Sequence, residues 1–248
     1  MARATVIANQ KGGVSKTTTS HALSAGLTTK NYSVLAIDLD PQGSLSTIMR
    51  ADTNAKGVFE AMSGEPIAEL VQETADGHIL TSSTQLTGAD KKFSDYGAEY
   101  LLKDALEPVK EKYQFIIIDS PPQLSILTVN ALICATDLII PLTCDLFAIM
   151  GLSQLLDTVG RIQKRGNPDL IIAGLLLTRY THRAILNRDL KQSIETKASD
   201  LGTKLYSTII REGVAIREAQ TGRQSIFRHA PQSNAAIDYE DFINEYLK

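Results

Sequence analysis

Three short segments of this 248-residue chain carry lysines, hydroxyls and carboxylates in spacings suited to phosphate and metal chemistry. The first is Asn9-Gln10-Lys11-Gly12-Gly13-Val14-Ser15-Lys16-Thr17-Thr18. A glycine-rich turn feeding a helix start aims several backbone N–H groups at one point, and the helix dipole adds to their pull on an anion. Lys16 is placed to reach β- and γ-phosphates, and the Thr17 hydroxyl to coordinate Mg²⁺. The strict pattern G-x-x-x-x-G-K-[ST] fails here, because its glycine positions fall on Gln10 and Ser15. A serine at that place is tolerable if its φ and ψ are helical, since only a positive φ strongly demands glycine. A second lysine, Lys11, stands at the loop's start. The bland alternative is a glycine-rich turn with solvated lysines.

The second segment, Asp38-Leu39-Asp40-Pro41-Gln42-Gly43-Ser44, has two carboxylates two residues apart. On extended backbone that spacing puts both on one side. Such groups, near a metal-bound triphosphate, can hold Mg²⁺ through water, or position and deprotonate an attacking water. An Asp-Pro turn closing a strand is the structural alternative. In the third, Phe115-Ile116-Ile117-Ile118 runs into Asp119-Ser120-Pro121-Pro122. A buried strand ending in Asp is a common way to bring a carboxylate beside a metal-bound phosphate.

The elements that must position these residues are legible as alternation. Apolar runs at Ala4–Ala8, Ser33–Asp38, His78–Ser82, Phe115–Asp119, Leu138–Leu142, Leu170–Leu177 and Leu205–Ile210 predict seven strands. Several are almost wholly apolar, which suits parallel strands buried on both faces. Helical stretches are expected near 16–30, 98–112, 124–134, 146–165, 184–198, 213–221 and 234–247. The pattern predicts an α/β fold: a mostly parallel twisted sheet with helices on both faces, as one domain over residues 1–248. Residues 50–97 are the least regular and are expected to form loops and short helices on the surface. In such sheets ligands bind at the carboxyl ends of strands, where all three segments lie.

The motif Lys11-Gly12-Gly13-x-x-Lys16-Thr17, followed by Asp38-x-Asp40-Pro41-Gln42-Gly43 and Asp119-Ser120-Pro121-Pro122, resembles the deviant phosphate loop and switch segments of the ParA/MinD family of P-loop ATPases. The likeness extends through Pro141–Asp145, Gly151–Leu156, Leu176–Tyr180 and Ile209–Ile226. Ser44 stands where the family usually has Asn. The resemblance implies ATP and Mg²⁺ as cofactors, with nucleotide contacts at Gly12, Gly13, Val14, Ser15, Lys16, Thr17, Thr18 and Arg179. It implies metal-associated roles for Thr17, Asp38 and Asp119, and catalytic roles for Lys11, Lys16 and Asp40. In the family the first lysine reaches across a homodimer to the partner's phosphates, and a ParB-type protein stimulates hydrolysis. With the phosphate loop at residue 9, no helix-turn-helix domain is expected before it.

Net charge is −3, which by itself argues against bulk nucleic-acid affinity, but it is unevenly spread. Residues 1–160 sum to −7, residues 161–228 to +7 and residues 229–248 to −3. Sequence-independent DNA binding needs phosphate neutralisation rather than base contacts. Candidate residues are Arg183, Arg188, Lys191, Arg211, Arg217, Arg223 and Arg228, the competing explanation being a solvated basic face paired with local acids. A cytoplasmic, nucleoid-associated partition ATPase is the expected function, and a MinD-like membrane-positioning ATPase the alternative. Against the latter, the terminal stripe Tyr239, Phe242, Ile243 and Tyr246 sits in an acidic segment that anionic lipid would repel. Cys134 and Cys144 are the only pair that could serve an iron–sulfur cluster, and Cys134 lies in an apolar helical pattern that suits a buried thiol. His21, His78, His182 and His229 are too scattered for zinc. A ligase of the dethiobiotin-synthetase type could use the same loop, although the basic late segment argues against it.

Overall fold

The structure, a computed structural model, describes residues 2–181 and 186–248, with backbone alone at 146–150 and 186–190. Seven strands form one sheet: β1 Arg3–Ile7, β2 Val34–Asp38, β3 Gln72–Thr74, β4 Gly77–Leu80, β5 Phe115–Asp119, β6 Asp137–Thr143 and β7 Ile171–Thr178. Their spatial order is β3-β4-β2-β5-β1-β6-β7, with every neighbouring pair parallel except the β3–β4 hairpin.

The helices are α1 Lys16–Thr29, α2 Ser44–Ile48, α3 Val58–Met62, α4 Ala89–Lys92, α5 Leu101–Leu106, α6 Ile126–Cys134, α7 Leu146–Arg165, α8 Leu186–Asp200, α9 Val214–Thr221, α10 Ile226–His229 and α11 Asn234–Tyr246. They cover both faces of the sheet. The two-residue alternation of strands sorts side chains between them: Val6, Ile116 and Ile118 enter one core, and Ile7, Phe115 and Ile117 the other. The second core takes in Leu23 and Leu27 of α1 and the terminal stripe Tyr239, Phe242, Ile243 and Tyr246. That stripe is therefore packed against the protein, as its acidic surroundings suggested.

Two expectations change. Leu205–Ile210 is not a strand. Its ends do pair with β7, through Tyr206 N to the Leu175 carbonyl and Ile210 N to that of Leu177, each 2.9 Å. Between them the amides of Ser207 and Thr208 donate instead to the Glu245 carboxylate, at 2.9 and 3.0 Å. A backbone N–H spent on a side chain cannot also serve a ladder. Gly174 permits the close approach on β7, since a Cβ there would lie 2.6 Å from the Tyr206 ring and 3.2 Å from the Lys204 carbonyl. The second change concerns residues 50–97. They contain the β3–β4 hairpin, and Val58, Met62, Ile67, Leu86 and Phe93 lie in the main core rather than on the surface. The seventh strand is thus β3.

Candidate active site

The parallel register brings the three segments together. Asp119, last residue of β5, is paired with Ile7 at the end of β1 on one side and Asp38 at the end of β2 on the other. Both carboxylates are fully buried. Asp38 is hydrogen bonded throughout: Oδ2 accepts from the Ser46 amide and hydroxyl, each at 2.8 Å, and Oδ1 from the Asp40 amide at 3.2 Å. It anchors the turn that carries Asp40. Asp119 Oδ1 accepts from Ser20 Oγ at 2.9 Å, while its buried Oδ2 makes no hydrogen bond within 3.5 Å to a described residue, the Thr17 side chain being a neighbour that favours its charge. Burial pushes the Asp119 carboxyl well above the usual range, and the neighbouring Asp38 charge pushes it further. Burial raises Asp38 as well, against the pull of its hydrogen bonds. Two adjacent buried carboxyls with one orphaned oxygen form a site that calls for a cation.

Lys16 is buried at the start of α1, and its Nζ donates to the Lys11 carbonyl at 3.2 Å. Burial lowers its pKa, against the opposing charges of Asp119 and Asp40. The loop before it turns through left-handed backbone at Gly13, φ 74°, and again at Ser15, φ 66°. Ser15 is therefore not helical, as its tolerance would require. It bears the side-chain clash that glycine avoids, at about 1–2 kcal/mol. The turn at Ser15 frees the first N–H groups of α1 to face the cavity, with no side chain of its own capping them. Val14 faces inward, and its carbonyl accepts from Thr178 Oγ1 at 3.2 Å.

Lys11 projects from the other side of the loop. Its Nζ sits 2.5 Å from Asp145 Oδ2 and 3.2 Å from Thr143 Oγ1, at the end of β6 and just beyond it. Asn9 fixes the base of the loop, accepting from the Lys11 amide and donating to the Pro141 carbonyl. The cavity over the loop measures about 400 Å³ and is bounded by Lys16, Thr17, Thr18, Asp40, Arg179 and Gln220, among others. Arg179 bridges its rim, donating to Glu212 at 2.8 Å and to the Gly13 carbonyl at 3.1 Å. Gln220 of α9 donates to Thr18 Oγ1 at 2.9 Å.

Four of the basic residues nominated by sequence line two different clefts. Arg183 lies outside the described residues, and Arg188 falls where backbone alone is described. Lys191 pairs with Glu195 one helical turn away. Arg211 is held by Asp238 at 2.6 Å and, with Arg217, borders the nucleotide-sized cavity. Arg223 and Arg228 lie past the far end of α9, beside a different cleft. Among the described residues no helix is long and apolar enough to cross a membrane. Cys134 is half-buried against the main core, and its removal from water pushes the thiol up to about 12.

Several partners carried no sequence signal. Asp145 for Lys11, Glu212 for Arg179 and Gln220 for Thr18 lie 134, 33 and 202 residues from the groups they bind. Only the fold reveals such pairs. His21 belongs to the same class: buried on α1, its Nε2 lies 2.9 Å from Asp76 Oδ2 in the β3–β4 turn.

Likeness to known proteins decides what this geometry belongs to. A family model described as an AAA domain matches residues 2–172. The sporulation initiation inhibitor protein Soj of Bacillus subtilis is 36% identical over 251 residues, covering 99% of this chain and 98% of its own. The chain belongs to the ParA/Soj family. The chromosome-partitioning ATPase Soj of Treponema pallidum is also 36% identical, covering all of this chain and 98% of its own. Among solved structures, cobyrinic acid a,c-diamide synthase from Mycobacterium smegmatis, with a bound ATP analogue and magnesium, is 33% identical. It aligns over 98% of this chain and 93% of that one with a TM-score of 0.86. Apo McdA from Cyanothece shares the fold at a TM-score of 0.89 over the full length of both chains, with 21% identity. As a member of the ParA/Soj family, the protein is a P-loop ATPase.

Proposed function

We propose that this protein is a partition ATPase that couples ATP binding to dimerisation and to sequence-independent DNA binding. The observation that supports it most is the convergence of Lys16, Thr17, Asp40 and the orphaned Asp119 oxygen at three adjacent strand ends. The curated relatives named Soj and ParA supply the biological setting.

In this reading the loop amides and Lys16 hold the triphosphate of ATP, and Arg179 bounds the pocket. The Thr17 hydroxyl and Asp119 would hold Mg²⁺, which would neutralise charge on the phosphates; Asp38 holds the switch turn in place. Asp40 orients the attacking water and accepts its proton as the bond between the γ-phosphorus and its bridging oxygen breaks, giving ADP and phosphate. Lys11, held by Asp145 in the isolated chain, turns to the phosphates of a second copy, so the ATP-bound form is a homodimer. Basic residues of the late segment contact the DNA backbone, and a ParB-type partner accelerates the slow intrinsic hydrolysis that ends the cycle. The protein would then reside in the cytoplasm on the nucleoid.

The test is a binding assay on the full chain with ATP, ADP or no nucleotide, offering random-sequence duplex and anionic liposomes in competition. ATP-dependent duplex binding that weakens steeply with salt supports the proposal. Capture by liposomes supports membrane positioning instead. Binding to neither surface, with turnover that depends on a small carboxylic acid, points to a ligase.

A further inference from the structure

A second cleft, of about 430 Å³, opens on the side of α9 away from the phosphate loop. Three arginines from three separate elements meet in it: Arg50 just after α2, Arg223 just after α9, and Arg228 on α10. Thr74 and Gln224 add uncharged polar groups. The one acidic residue lining it, Asp76, is buried and already engaged on both oxygens, by Arg228 at 2.5 Å and His21 at 2.9 Å. It orients Arg228 and offsets a single charge, so the cleft stays cationic.

The arginines are presented in an unusual way. Arg50 and Arg223 both have left-handed backbone, with φ of 60° and 49°, a conformation that L side chains seldom adopt. The Arg223 side chain is exposed and makes no hydrogen bond to a described residue. Arg50 is a hook: its Nε donates to the Arg223 carbonyl at 2.8 Å and its Nη2 to that of Gly222 at 2.9 Å. Its Nη1 has no such bond to a described residue. The hook joins α9, which lines the cavity over the phosphate loop, to the end of α2, which follows the turn whose Asp40 lines it. α2 follows directly from the turn that carries Asp40 and is tied to Asp38 through Ser46. α9 borders the cavity through Ile216 and Gln220 before its end reaches the cleft.

We propose that this cleft binds phosphates of a nucleic-acid backbone, and that Arg50 makes that binding answer to the nucleotide. The inference rests on the DNA-binding reading above and deepens it, by placing a phosphate site away from Arg211 and Arg217 and by adding Arg50. A guanidinium fork suits phosphate oxygens, and a site without base readout accepts any sequence. When the Asp38–Asp40 turn shifts with the γ-phosphate, the hook moves Arg223 with it.

The experiment measures anisotropy of a labelled random-sequence duplex with the full chain, Mg²⁺ and either a slowly hydrolysed ATP analogue or ADP, across a salt series. Arg223→Gln is expected to weaken binding and to reduce the slope of log affinity against log salt by about 0.9 for each DNA phosphate left without its arginine. Arg50→Gln is expected to do the same and also to narrow the affinity ratio between the two nucleotide states. Arg50→Lys, which keeps the charge but cannot span both carbonyls, should restore the slope and not the ratio. ATP affinity, measured alongside, reports that each variant is folded. If wild type binds duplex and neither Arg223→Gln nor Arg50→Gln changes affinity or slope, the cleft is not a phosphate site, while the DNA-binding reading stands. If wild type binds no duplex with the ATP analogue, both fall together.

Discussion

The strand-end site and the late basic segment handle charge in opposite ways. At the ends of β1, β2 and β5 the ionisable groups are buried and interlocked: Asp38 holds Ser46 and the Asp40 amide, Asp119 holds Ser20, and Lys16 lies over its own loop. In the late segment the described arginines lie at or near the surface, and several are claimed by carboxylates. Arg179 is held by Glu212, Arg211 by Asp238 and Arg228 by Asp76. Asp238 and Asp76 lie outside residues 161–228, so the +7 of that segment overstates the charge available to a ligand. A buried, interlocked site should respond to substitution steeply and through chemistry. Exposed arginines should respond in small steps that salt erases, because water and ions screen them.

The largest expected effect tests the first half of that contrast. Asp40→Ala should lower ATP hydrolysis by about 10²–10⁴-fold, the usual worth of a positioned general base. It should also prolong the ATP dimer, followed by phosphate release and by size-exclusion chromatography. Unchanged turnover would remove Asp40 from the chemistry. Next, Lys11→Ala should bind ATP but fail to dimerise in sedimentation velocity runs. Normal dimers from that variant would return Lys11 to a purely local role with Asp145.

The boundary between the two regions is sharpened by Arg217, which belongs by sequence to the basic segment yet borders the nucleotide cavity. Arg217→Gln should weaken ATP binding in calorimetry more than Arg223→Gln does; equal effects would blur the division. Smaller still is the effect of Glu245. Burial pushes its carboxyl up, but hydrogen bonds from the amides and hydroxyls of Ser207 and Thr208 outweigh this and hold it below the ordinary value. Its contribution is therefore present at neutral pH and is lost as pH falls through the folded-state pKa, below the unfolded one. Glu245→Gln should cost about 1 kcal/mol in urea unfolding at pH 7 and flatten the loss of stability below about pH 4.5. Last, Ser15→Gly should raise stability by up to about 1 kcal/mol by relieving the left-handed serine, since glycine's greater unfolded-state freedom returns part of the gain.

The catalytic half was the more legible part of the sequence. Apolar runs that stop at Asp38 and Asp119, beside a lysine-rich glycine turn, encode strand, strand end and charge in consecutive residues. The parallel sheet then needed only register to unite them. One local inference failed where tertiary contacts override local pattern: Leu205–Ile210 has strand composition, but Glu245 takes its central amides. Ser15 was tolerable only on a helical backbone, a condition sequence cannot test, and the loop's path makes it left-handed. Residues 50–97 looked like surface because they are irregular and richer in polar residues and glycine, and they reach the core through short elements with no sustained period. The pairs Arg50–Arg223 and Arg228–Asp76, 173 and 152 residues apart, leave no trace in spacing at all.

The irregular pairing along β7 has a consequence for the behaviour of the protein in bulk. β7 is an outermost strand, and an open outer strand offers its row of amides and carbonyls to any other chain that can lie alongside. Here the segment from Lys204 to Arg211 occupies that row at Leu175, Leu177 and Tyr180, and Glu245 keeps the amides of Ser207 and Thr208 from seeking partners elsewhere. Crowding of many copies would press such margins together, and in the cycle proposed above it would do so on DNA. With this row occupied, edge-to-edge growth of the sheet along β7 is disfavoured, which would leave the proposed nucleotide-dependent association as the contact between copies.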